Sequence, residues 1–111
     1  MRQSKYGAKK VIIDGITFDS KKEARRYFEL TLLEKAREIS GLELQVKFEL
    51  EGADGRVLVS DSGRRLSYVA DFTYRDQSGA LIIEDAKGME TPAYKLKKAI
   101  MRSMGHQIIE T

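Results

Sequence analysis

Two short apolar runs in this chain each carry a carboxylate where a buried strand should carry none. One is Tyr68-Val69-Ala70-Asp71-Phe72. The other, fourteen positions on from Asp71 to Asp85, is Ile82-Ile83-Glu84-Asp85-Ala86-Lys87-Gly88. Taking an ionised group out of water costs several kcal/mol, roughly, unless the group is paired or bound to a metal. A chain that accepts this cost in two strands uses the groups, and its fold must bring them together.

The 111 residues predict one domain, 1–111, large enough to bury a core without staples. The chain has no cysteine, which rules out a disulfide framework and a thiolate zinc site. No apolar run approaches the roughly 20 residues of a membrane span. Met1 to Gly7 lacks the apolar stretch of a secretory signal, so the cytoplasm is the expected compartment.

Val11 to Phe18 reads as a β-hairpin around Asp14-Gly15, a pair suited to the positive φ of a two-residue turn. Ser20-Lys21-Lys22-Glu23 has the form of a capping box. Ala24, Phe28, Leu32, Ala36 and Ile39 then predict the buried stripe of a helix running to about Ile39, with Gly41 as its stop. Leu42 to Leu50 alternates as a half-buried strand, and Gly52 to Arg65 is turn-rich around a short Val57–Val59 strand. Leu66 to Tyr74 and Ala80 to Lys87 are strands separated by the turn Asp76-Gln77-Ser78-Gly79. The second shows no alternation, as a central strand covered on both faces should. Thr91-Pro92 opens a helix that Gly105 ends, and His106 to Glu110 forms a last strand. On this helix Ala93, Leu96, Ile100 and Met104 form the apolar side, with Lys95, Lys98 and Arg102 opposite. The order predicts an α/β fold, a mixed central sheet flanked by helices with an N-terminal hairpin.

Alternation puts Asp85 and Lys87 on one face, about 6.6 Å apart along the strand. Glu84 points to the other face, to a rim or a helix partner. A two-residue loop between the carboxylate-bearing strands would set Asp71 opposite Glu84. A three-residue loop centred on Ser78 would set it opposite Asp85, and Gly79 favours the second. Two carboxylates that close repel unless a cation lies between them, and an oxygen donor set with a single histidine points to Mg²⁺ or Mn²⁺. Asp71 and Asp85 as metal ligands, with Lys87 acting on water or phosphate, suit phosphodiester hydrolysis.

Asp71, followed by Asp85-Ala86-Lys87, resembles the signature of the PD-(D/E)XK, or restriction-endonuclease-like, nuclease superfamily. The expected αβββαβ order is similar to that superfamily's core. Together with Ser20-Lys21-Lys22-Glu23-Ala24, these motifs resemble a small phage-encoded nuclease-like branch. The resemblance spans nearly the whole chain, with Ala70 where the signature's name has proline. It implies that Asp71 and Asp85 hold metal, that Lys87 is catalytic, and that Glu23 completes the acidic site directly or through water. It also implies a place in phage DNA replication or recombination, in the host cytoplasm.

Simpler explanations stand beside these. Glu23 caps its helix with no catalysis. Asp71 is a strand-end residue satisfied by backbone amides, and Asp85 with Lys87 forms a structural ion pair. Lys9 and Lys10 near the N-terminus, and Lys95, Lys98 and Arg102 on the second helix, are either solvated charge or phosphate contacts. Tyr6, Tyr27 and Tyr94 pack or stack on bases, and His106 is structural. Residues 1–10 and 51–65 are candidates to become ordered on DNA. The expected function is metal-dependent DNA cleavage, structure-directed or weakly specific, at junctions, flaps or single strands. A homodimer fits a two-strand cut. The alternatives are a non-catalytic nucleic-acid-binding module that keeps the fold, and an RNA-directed enzyme.

Overall fold

The computed structural model describes residues 10–86 and 90–111. Asp14 and Gly15 take φ of +53° and +76°, joining β1 (Val11–Ile13) to β2 (Ile16–Phe18) with Ile13 opposite Ile16. The Ser20 hydroxyl accepts the Glu23 N–H at 3.1 Å and opens α1 (Lys21–Lys35).

The helix stops at Lys35, short of the expected Ile39, and Gly41 is not its stop. Arg37 sits in the left-handed region at φ +63°. Its N–H reaches the Glu34 carbonyl at 3.0 Å, and the Glu38 N–H reaches the Leu33 carbonyl at 2.9 Å, which together form a Schellman cap. An arginine in this conformation costs about 1–2 kcal/mol. The buried face also differs from the expected stripe. Phe28 and Leu32 are 55% and 49% exposed, while Glu23, Ala24, Tyr27 and Leu30 point inward. A strict four-residue step drifts around a helix of 3.6 residues per turn. What fixes the inward face is Phe18, whose ring lies 5.0 Å from that of Tyr27.

The main sheet has the order β3-β4-β5-β6, from β3 (Ser40–Glu49), β4 (Ser67–Arg75), β5 (Leu81–Asp85) and β6 (Ile108–Glu110). The first three strands are antiparallel. β6 joins β5 in parallel through the crossover helix α2 (Pro92–Ser103), so the sheet is mixed. With the hairpin, two helices and this sheet, the fold is α/β as expected. Successive residues Ile82 and Ile83 belong to different apolar cores, so at β5 the cores lie on opposite faces. One core joins Leu30, Tyr27 and Phe18 to Phe72 and Tyr74; the other joins Met101 and Ile108 to Leu50, Tyr68 and Ala70.

Tyr68, Ala70, Phe72 and Tyr74 would share one face of a regular strand, yet they divide between the two cores. In β3, Leu42 and Leu44 likewise serve the α1 core, and Phe48 the α2 core. The changeover falls at Asp71 and, across from it, Gln45, whose φ is +54°. An acid and an amide thus occupy the point where neither core needs an apolar residue.

Thr91 caps α2, accepting the Tyr94 N–H at 3.1 Å, and Gly105 at φ +92° closes it, both as expected. Its inward face is the expected one only in part: Ile100 and Met104 pack against the core, while Ala93 and Leu96 do not. Met101 is fully buried, Tyr94 and Lys98 are half-buried, and Leu96 is 63% exposed. Residues 51–65 form no named strand at Val57–Val59. Instead, Leu58 N–H bonds the Leu50 carbonyl, Leu66 N–H that of Leu58, and Leu50 N–H that of Leu66, at 2.8, 2.9 and 3.0 Å. This closed ring organises the segment's two turns from within. Among the described residues, no helix is long and apolar enough to cross a membrane.

Candidate active site

Gly79, at φ +87°, sets the register of the acid-bearing strands. Phe72 pairs with Glu84 and Thr73 with Ile83, which places Asp71 opposite Asp85, the register that the three-residue loop predicts. The two acids then cap each other's strands. Asp85 Oδ1 accepts the Asp71 N–H at 2.9 Å, and Asp71 Oδ2 accepts the Ala86 N–H at 2.9 Å. The buried Tyr68 hydroxyl donates to Asp85 Oδ2. Burial raises the Asp85 pKa, partly offset by the Asp71 N–H. Asp71 is satisfied by a backbone amide as expected, but it lies inside β4 and not at a strand end, and the same bond fixes its approach to Asp85.

Glu23 reaches this pair from α1. Its Oε1 accepts the Asp19 N–H at 3.3 Å, one residue before the Ser20 N–H that a capping box would use. Its Oε2 accepts from Gln45 Nε2 at 3.2 Å, and the same nitrogen lies 3.4 Å from Asp71 Oδ1. Capping and site proximity are combined in one side chain. Gln45 is the residue that sequence reasoning missed. It reads as the polar side of an alternating strand, and only its left-handed backbone, strained for a non-glycine residue, marks it.

Burial, then the neighbouring Asp71 charge, pushes the Glu23 carboxyl up to about 7. The folded protein holds this proton where the unfolded chain has released it. The stability that Glu23 contributes is thus complete below about pH 4.5 and is lost as the pH rises through 7. Glu23→Gln should abolish that loss. Urea midpoints of both proteins across this window, with chelator present, check it; a constant difference between them would contradict the assignment.

Asp71 and Asp85 open into a cavity of about 450 Å³, lined also by Tyr68, Val69, Tyr94, Lys97 and Glu110. Glu110 stands beside Asp85 in the parallel register. It pairs with Lys98 at 3.1 Å and accepts from the Tyr94 hydroxyl at 3.0 Å, and Lys98 leads the causes that hold its pKa low. Tyr94 therefore faces the cavity, while Tyr27 packs in the α1 core. Glu84 has the helix partner expected for it. It is fully buried, held by Arg26 at 2.7 and 2.8 Å and by the Tyr74 hydroxyl.

The basic candidates fare unevenly. Lys87, Lys9 and Tyr6 lie outside the described residues. Lys98 is no solvated outer charge, since only 24% of its side chain is exposed and Glu110 holds it. Lys95 lies 4.0 Å from Glu90, and Arg102 and Lys10 are exposed and do not line the acid cavity. The His106 ring packs 5.5 Å from Phe48, in the structural role expected of it.

Among the described residues, no group of three or more His, Cys, Asp or Glu side chains is arranged to hold a metal ion. The chemistry of the donors nevertheless fits a hard cation. Glu23 Oε2 and Asp71 Oδ1 converge on one amide nitrogen, and their mutual repulsion contributes to the raised Glu23 pKa.

No curated protein and no solved structure matches the chain. A family model described as "Protein of unknown function (DUF1064)" matches residues 3–109, and the chain belongs to that family.

Proposed function

We propose that this protein is a metal-dependent nuclease that hydrolyses DNA phosphodiesters, built on a restriction-endonuclease-like core. The observation that carries the reading is the reciprocal pairing of Asp71 and Asp85 in the lining of a cavity. Two adjacent strands deliver a carboxylate each to one point, and a third acid reaches it from α1 through Gln45. Asp71 and Asp85 would hold Mg²⁺ or Mn²⁺, with Glu23 completing the acidic set. When bound, the cation supplies Lewis-acid polarisation of phosphate and an activated water. Tyr68 and the Asp71 N–H fix the Asp85 carboxylate. Lys87 retains its proposed role on the attacking water or the phosphate. The small domain leaves little surface for reading bases, which supports structure-directed or weakly specific cutting. A homodimer would supply the second cut of a duplex.

A second reading, a nucleic-acid-binding module without catalysis, draws support from one observation. Every acid at the site already has a protein donor. Labelled duplex, single strand, flap and four-way junction, incubated with Mg²⁺, Mn²⁺ or EDTA, separate the two. Cleavage that needs the divalent ion and is lost in Lys87→Ala is the expected result. Salt-sensitive binding without cleavage on any substrate would favour the module.

A further inference from the structure

The acid-bearing cavity has a cation with no assigned role. Lys97 lines it on α2, together with Asp71, Asp85 and Glu110. The flanking lysines of the same helix are engaged, Lys98 with Glu110 at 3.1 Å and Lys95 with Glu90 at 4.0 Å. Among the described residues, Lys97 enters none of the ion pairs or hydrogen bonds. The acids lining the cavity are already held by other donors: Asp85 by Tyr68 and the Asp71 N–H, Asp71 by Gln45 and the Ala86 N–H, Glu110 by Lys98 and Tyr94, and Glu90 by Lys95. Lys97 is half-buried, and with no partner among the described residues its charge is available to an anion entering the cavity. The cavity's volume of about 450 Å³ falls in the range of small-ligand sites and is of the order that one nucleotide fills. Val69, Ala93 and the Tyr94 ring supply apolar wall beside the charge.

We propose that Lys97 seats a phosphate of a single, unpaired nucleic-acid strand in this cavity, beside the Asp71–Asp85 pair. The inference deepens the nuclease reading and rests on it for the identity of the substrate. Lys97 would place the strand, which makes it a binding residue distinct from the acids, and it narrows the preferred substrates to single strands, flaps and frayed ends.

The test is binding of a labelled single-stranded oligonucleotide across a salt series, with EDTA present so that cleavage plays no part. Lys97→Ala should bind about tenfold more weakly, the loss of one charge-assisted contact. Its salt slope should fall by about 0.7, the share of one single-strand phosphate. Lys97→Arg should restore the slope, because it keeps the charge. Lys35→Ala, which removes an exposed charge at the end of α1, is the control and should keep the wild-type slope. A Lys97→Ala protein with the wild-type urea midpoint that matches the control in affinity and slope overturns the proposal. A slope loss seen on blunt duplex and not on single strand overturns it too.

Cleavage assays separate this outcome from the nuclease reading. A wild-type protein that cuts nothing, with the slope loss in Lys97→Ala intact, leaves the phosphate seat standing and removes the enzyme. A wild-type protein that cuts, with KM and slope unchanged in Lys97→Ala, does the reverse.

Discussion

Asp85→Asn is expected to lose metal-dependent cleavage by on the order of a thousandfold, the equivalent of the several kcal/mol that Lewis-acid stabilisation supplies. It should unfold at close to the wild-type urea concentration. The asparagine carbonyl can still accept the Asp71 N–H, and its amide can face the Tyr68 hydroxyl oxygen. Removing a buried charge whose pKa burial has already raised relieves desolvation and introduces no cavity. Alanine is the poorer test, since it would leave the N–H and the hydroxyl unpaired at about 1–3 kcal/mol each. Asp85→Asn protein that cuts at the wild-type rate would remove Asp85 from the chemistry and leave it a strand-capping residue.

Arg26→Ala should be the most destabilising single change outside the apolar cores, at about 3–5 kcal/mol. Glu84 has no exposed surface, and the guanidinium of Arg26 holds both of its oxygens. Without it, a carboxylate remains buried with the Tyr74 hydroxyl as its remaining side-chain donor. Glu84→Ala should cost less, because Arg26 is 25% exposed and can rehydrate. Urea denaturation of both variants reads the order directly. An equal or reversed order would mean that the pair is not the tie between α1 and β5 that its geometry indicates. Pairing Glu84 with α1 also clears the site of a competing acid, because it turns that carboxylate to the face opposite Asp85.

Much of the fold was legible because the signals are short-ranged. Asp14-Gly15, Ser20, Thr91-Pro92 and Gly105 each act within a few residues, and each sits where its local chemistry places it. Gly79 carried further still: one left-handed residue in a turn set which carboxylates meet across two strands. The helix faces were less legible. Phe28, Leu32 and Leu96 are apolar and exposed, while Glu23 and Lys98 turn inward. Periodicity reports that a face exists, but the neighbouring elements decide which one is buried.

The sequence by itself determined the order of elements, the two acids and their register, because turns, caps and alternation are properties of consecutive residues. Tertiary structure alone decided that Gln45 joins Glu23 to Asp71, that Arg26 neutralises Glu84, and that Lys97 lines the acid cavity with no partner among the described residues. Each of those outcomes depends on side chains distant in the chain, whose meeting is set by how helices lie on a twisted sheet. No local pattern of polar residues encodes that packing.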